Sequence, residues 1–220
     1  MFLAVDNANN VAKRKQGRPP KSPEEQAAIR NRIIDVAKEL FLNDGFEQVS
    51  VRKIAAKVGC TPRTLYYYFE NKRSLLHFIW VDIFAQLADY ADEHIPSNLS
   101  PKEIIKASLQ AYVSYWLEHP DRFRVIFSIE DLNSTPDQDQ DASKIVLESR
   151  FFQRLFRAVE TCCQQNMFTE DNHELVGHML MCSVQGIVNN VLTIKQIPWS
   201  PVDQLLNLQL DGLLTGLARH

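Results

Sequence analysis

Lys13, Arg14, Lys15, Arg18 and Lys21 crowd nine positions beside Gly17, Pro19 and Pro20. That punctuation excludes helix and strand alike, so the segment reads as a flexible cationic arm suited to a polyanion. The asymmetry extends beyond the arm. Residues 1–78 hold 14 Lys and Arg against 8 Asp and Glu, whereas residues 79–220 hold 10 against 19. One part is built to approach a polyanion and the other is not. Catalytic chemistry leaves no comparable trace: GxSxG, HExxH and Walker patterns are absent. His173 and His178 stand five apart, about 140° round a helix, which rules out joint metal ligation. His178 and Cys182 can share a face, but two residues do not make a site. Asp131, Asp137, Asp139 and Asp141 lack the central Gly and terminal Glu of a calcium loop, so neither metal nor cofactor is expected. Cys162 and Cys163 are adjacent, yet nothing beside them lowers a thiol pKa, so a redox switch is not expected.

The elements that must carry these residues are helices. With 220 residues, 45% apolar and 23% charged, the chain has the composition of a soluble globular protein of one or two domains. Its 7 glycines, roughly 3% against the usual ~7%, supply few of the positive-φ turns that hairpins need, so an all-α fold is expected. Basic residues follow the short apolar start rather than precede it, against the order of an export signal, and a cytoplasmic chain with four free thiols is expected. The charge-free window 175–194 contains His178, Ser183, Gln185, Asn189, Asn190 and Thr193, and reads as a buried helix rather than a membrane span.

About nine helices are legible. Ser22, Pro23 and Glu25 form a capping signal, after which Ile29, Ile33, Ala37, Leu40 and Phe41 recur at helical spacing until Asn43-Asp44-Gly45. Ser50 can cap a short helix carrying Ile54, Ala55 and Val58, stopped by Gly59. Thr61 and Pro62 can open a third, with Leu65 and Phe69 facing inward. Two helices of about eight residues need an outside partner, which the first helix supplies, so residues 22–73 read as a tri-helical helix-turn-helix unit.

Gly45-Phe46, the run Ser50 to Gly59, Thr61-Pro-Arg-Thr-Leu-Tyr-Tyr-Tyr-Phe69 and Asn71-Lys-Arg-Ser-Leu-Leu76 together resemble a TetR/AcrR-family transcriptional regulator. The resemblance implies that the third helix enters the major groove, with Thr61, Pro62, Arg63, Thr64, Tyr66 and Tyr67 meeting phosphates and base edges. Arg52 then suits a bidentate contact to guanine, and Ser50, Tyr66 and Lys72 suit phosphates. Gly17-Arg18-Pro19-Pro20 resembles a minor-groove arm in which Arg18 enters A/T-rich DNA.

Residues 74–220 form the expected regulatory domain. A stripe from Leu75 to Leu87 links it to the head, and Pro96 ends that helix. Ser100-Pro101 opens a fifth helix ending before Pro120, a sixth spans 121–129, a seventh 142–165, an eighth runs from a Thr169 cap to about Lys195, and Ser200-Pro201 opens a ninth. By the resemblance, the last two helices pair with a second copy in a homodimer. A cavity among the fourth to eighth helices then takes an apolar or amphipathic effector against Phe84, Tyr112, Trp116, Phe127, Phe152, Phe156 and Met181, with His178, Gln185 and Asn189 as polar contacts. The implied partner is double-stranded operator DNA, with no membrane and no catalysis. The competing reading is an α-helical small-molecule-binding protein or enzyme that keeps the head as an interaction module.

Overall fold

A computed structural model describes residues 22–127 and 144–219. The arm with Arg18, the acidic run Asp131 to Asp141, the last residues of the expected sixth helix and the first of the seventh lie outside the described residues.

α1 (Pro23–Asp44) starts on a complete capping box: Ser22 Oγ accepts from the Glu25 amide, and the Glu25 carboxylate accepts from the Ser22 amide. A cap of this kind stabilises a helix by about 1 kcal/mol. Ser50 caps α2 (Val51–Val58) through the Lys53 amide at 3.1 Å, and Gly59 ends it at φ 81°, in the left-handed region that a side chain resists. Thr61 caps α3 (Pro62–Tyr68) through the Thr64 amide. Neither α2 nor α3 is long enough to persist alone. Their order comes from burial of Ile54, Ala55, Val58 and Leu65 in one core with Ile33, Ala37, Leu40 and Phe41 of α1.

α4 (Ser74–His94) has no side-chain cap from Arg73; Asn71 Oδ1 instead accepts from the Ser74 amide at 2.9 Å. Its expected stripe is buried at Leu75, Leu76, Ile79, Ile83 and Leu87. A second capping box, Ser100 with Glu103, opens α5 (Pro101–Glu118), and α6 (Pro120–Phe127) follows after His119. α6 packs against α1, so the larger domain touches the head through two helices rather than through α4 alone.

Three boundaries differ from the sequence expectation. Residues 144–148 are helical, but Ser149 then turns extended (φ -65°, ψ 141°) and its Oγ caps a new helix, α7 (Arg150–Gln164), where one continuous helix was expected. α8 (His173–Thr193) is capped by Asn172, whose Oδ1 accepts from the Leu175 amide, and not by Thr169, whose hydroxyl is turned to the Leu217 carbonyl along with its amide at 2.7 Å. Those bonds, with the Phe168–Ala218 bridge, tie the end of α9 (Val202–Leu217) to the α7–α8 connection. α9 itself starts after Pro201 with no side-chain cap, so Ser200 does not serve as one.

α5 is the spine of the larger domain, packed against α4, α6, α7 and α8. Tyr112 and Trp116 are buried along it and meet Phe84, Phe152, Phe123 and Phe127 mostly edge to face, an arrangement that favours the ring quadrupoles. α8 lies so close to α7 that a Cβ at Gly177 would overlap the Phe156 ring. Length and composition would let α8 span a bilayer, and only 28% of its most apolar window is buried. Val176, Leu180, Val184 and Val188 face the bundle, while Leu175 and, on α9, Leu208 (77% exposed) face outward.

Candidate nucleic-acid interface

α2, the turn at Gly59 and Cys60, and α3 set one exposed surface. Ser50, Arg52, Thr61, Pro62 and Arg63 are all exposed, Thr64 is half-buried, and Tyr66 and Tyr67 project into solvent at 54% and 73%. Leu65 and Phe69, on the opposite side of α3, are buried. Large exposed aromatic side chains cost solvation unless something covers them, and here two stand beside Arg63 at the tip of the head. The Thr61 and Thr64 hydroxyls share a hydrogen bond at 2.9 Å, which uses one of their two O–H groups, whereas the Ser50 hydroxyl accepts from the Lys53 amide and keeps its O–H as a donor to an outside acceptor.

Four other cations of the head have partners within the fold. Lys53 pairs with Asp44 and Lys57 with Glu39, both bridging α2 to α1. Arg30 stacks over Phe78 at 4.3 Å and Phe69 at 5.4 Å. Lys72 donates to the Phe46 carbonyl at 2.8 Å and lies 3.9 Å from the Phe46 ring, and burial lowers its pKa against the raising influence of Glu47. Its ammonium therefore closes the turn after α1, with donors left over for a phosphate. Arg18 lies outside the described residues.

Of the residues expected around an effector cavity, Phe84, Tyr112, Trp116, Phe127, Phe152, Phe156 and His178 are linked by ring contacts, and Gln185 joins them through the Tyr112 hydroxyl. Tyr112, Trp116 and Phe152 fill the core, Phe156 and Met181 are half-buried, and Phe127 is 41% exposed. His178 and Asn189 lie on the exposed side of α8, while Gln185 accepts from the Tyr112 hydroxyl at 2.6 Å and joins α8 to α5. Of the ten, Phe84 lines an open cavity of about 460 Å3 between α4 and residues 144–150, with His77, Val81, Ala85, Ile145 and Arg150. The sequence reading missed these partners because it ran the seventh helix straight through Ser149. Among the described residues no three His, Cys, Asp or Glu side chains converge to hold a metal. Burial pushes the Cys162 thiol up to about 11 and the Cys163 thiol upward too, the reverse of what an oxidant-sensing thiolate requires.

A Tyr115 hydroxyl near the centre joins three helices. It receives an N–H from Arg122 of α6 at 3.0 Å and donates to the Ile83 carbonyl of α4 at 3.2 Å. A displacement of either helix is thereby felt by the other.

Comparison with known proteins finds two matched segments. Residues 33–79 match the family described as "Bacterial regulatory proteins, tetR family", and residues 105–213 match "Tetracyclin repressor-like, C-terminal domain". The class D tetracycline repressor protein of Escherichia coli is 40% identical over 62 residues, which are 28% of each chain. The fatty acid metabolism regulator protein of Bacillus subtilis is 30% identical over 82 residues, 37% of this chain and 42% of that one. The chain thus spans less than half the length of either relative. Among solved structures, the Bacillus subtilis transcriptional regulator FadR in complex with stearoyl-CoA superposes with a TM-score of 0.66 at 22% identity, covering 85% of this chain and 98% of that one. A protein of unknown function from Rhodococcus sp. RHA1 gives 0.68 at 17% identity over 90% and 100%. Head and larger domain match separately, in chain order and over more than two thirds of the residues, and the chain belongs to the tetR family of bacterial regulatory proteins.

Proposed function

We propose that the chain is a cytoplasmic, sequence-specific transcriptional repressor that binds a near-palindromic operator as a homodimer and is released by a small amphipathic effector. The observation that carries this reading is the exposed surface of α2 and α3, where Arg52, Thr61, Arg63, Tyr66 and Tyr67 project from the head while Lys53 and Lys57 of α2 are paired with α1 carboxylates. Arg52 reads a base, Ser50, Tyr66 and Lys72 position phosphates, and Arg18 of the basic arm reaches the minor groove. Exposed Leu175 and Leu208 on α8 and α9 support pairing with a second copy through those helices.

Effector binding beside Phe84 acts on α4, and α6 carries the same displacement to α1 through Arg122 and Tyr115. A coupling of about 1–3 kcal/mol changes operator affinity 5-fold to 150-fold, and DNA weakens the effector by the same factor. The amphipathic class is supported by the mixed lining of the cavity, apolar at Val81, Phe84, Ala88 and Ile145 and charged at Lys144, Glu148 and Arg150, and by the stearoyl-CoA bound to the Bacillus subtilis protein of like fold. A gel shift of the full chain on the DNA upstream of its own gene tests the reading. Retardation that survives excess random DNA supports it, and equal competition by random DNA contradicts it.

A further inference from the structure

The apolar stripe of α1 runs through Ile33, Ala37, Leu40 and Phe41, and one turn earlier the same side of the helix carries Arg30. A cation on such a stripe costs desolvation unless a partner receives it. Arg30 is half-buried, and its guanidinium lies 4.3 Å from the centroid of the Phe78 ring of α4 and 5.4 Å from that of Phe69. No carboxylate pairs with it among the described residues, so the two rings are its partners. Phe69 and Phe78 meet edge to face at 5.9 Å. One cluster therefore joins α1, the end of α3 and the start of α4.

α3 has seven residues, too few to fix its own direction. Its first turn is held by the Thr61 cap, next to the short connection from α2. At the far end the Phe69 amide donates to the Leu65 carbonyl at 2.9 Å, after which the chain runs extended at φ -138°, ψ 126°. Leu65 and Phe69, one turn apart, are the buried anchors of the helix, and Tyr66 and Tyr67 stand between them and face outward. The seat of Phe69 thus sets the pitch at which those two rings meet a groove. An alkyl side chain in place of Arg30 fills the same space but lets Phe69 slide, whereas a planar guanidinium has a preferred position over a ring face.

We propose that Arg30 is a positioning residue for DNA reading: stacked on Phe78, it holds Phe69, and with it the far end of α3, at the pitch that base contacts need. The proposal rests on the DNA-binding reading above and adds to it a residue that touches no DNA. Arg30→Lys keeps the charge and loses the planar stack, and Arg30→Met keeps an apolar stem and loses the charge. Gel shifts on the DNA upstream of the chain's own gene and on random DNA test it. Each variant should bind the upstream DNA roughly fivefold more weakly than the parent. Random DNA should be bound as before and with the same salt slope, because phosphate attraction tolerates a tilted helix and base contacts do not. Amide hydrogen exchange on the free protein gives a reading independent of DNA. Exchange of the Phe69 amide should rise severalfold in both variants, while that of the Ile54 amide, bonded to the Ser50 carbonyl in α2, should stay as in the parent. Melting temperatures within about 4 °C of the parent's verify that the variants fold. An Arg30→Lys variant that binds the upstream DNA as the parent does overturns the proposal, as does unaltered Phe69 exchange. Equal weakening on both DNAs with a shallower salt slope also overturns it and makes Arg30 a phosphate contact. A parent chain that does not prefer the upstream DNA sinks the regulator reading instead, and Phe69 exchange then decides the positioning claim by itself.

Discussion

Lys38 of α1 pairs with Asp82 of α4, and Gln86, one turn further along α4, donates to the same carboxylate oxygen at 2.6 Å. The pair is partly exposed, so its contribution to stability is about 1 kcal/mol or less. Its importance is positional, because it fixes the rotation of α1 against α4 where the head meets the larger domain. Asp82→Asn should lower the unfolding free energy by no more than about 1 kcal/mol yet reduce the effector's influence on operator affinity severalfold. Gel shifts with and without effector, beside a denaturant titration, check it; an unaltered effector response removes the pair from the coupling.

Lys72 and Arg52 should separate in their effects. Lys72→Ala deletes the bond to the Phe46 carbonyl and the contact with its ring, and should cost about 1–2 kcal/mol of stability along with weaker binding to every DNA sequence. Arg52→Ala removes an exposed side chain with no folded-state partner to lose among those described, so melting should be unchanged. Operator affinity should fall by about 1–3 kcal/mol, with relaxed preference at one base pair. Melting curves and salt titrations on specific and random DNA decide, and identical profiles for both variants would refute the division of roles.

The helices of the head were legible because their signals are local. Ser22 with Glu25, Ser50, Thr61 and the inward pair Leu65 and Phe69 each act within a few residues, and each acts as the spacing predicts. Misreadings arose where a distant group competed. Thr169 has a capping side chain, but its hydroxyl and its amide both donate to the carbonyl of Leu217, 48 residues away. Ser149 interrupts a stretch whose apolar periodicity continues on both sides of it. The effector cavity was the least legible feature, since an aromatic residue at helical spacing looks the same whether it fills the core, as Trp116 does, or borders a cavity, as Phe84 does.

Gly177 should tolerate no side chain. Gly177→Ala drives a methyl into the Phe156 ring across the α7–α8 contact and should destabilise by about 1–3 kcal/mol. Phe156→Leu in the same chain should recover part of that loss. A denaturation midpoint for Gly177→Ala equal to the parent's would mean that α7 and α8 are further apart than described.

Three tyrosines should resist ionisation. Burial, aided by the Glu118 carboxylate, pushes the Tyr90 hydroxyl up to about 12, and burial raises Tyr112 and Tyr115 as well. The fold holds the protonated phenol while the unfolded chain titrates near 10, so this stabilisation is complete below about pH 10 and is lost as pH rises toward 12. A spectrophotometric tyrosinate titration should show a late phase coincident with loss of helix, narrowed in Tyr90→Phe. Ionisation of all six tyrosines in one step near pH 10, with the helices intact, would contradict it.

The central claim is that the exposed surface of α2 and α3 reads DNA in a symmetric pair. Footprinting of the full chain on its upstream DNA is the most direct measurement. Protection should fall on two inverted half-sites whose centres are about 34–36 Å apart or a multiple of that, and Arg52→Ala should erase both halves together. A single protected stretch without dyad symmetry, or a footprint unchanged by Arg52→Ala, would contradict the account.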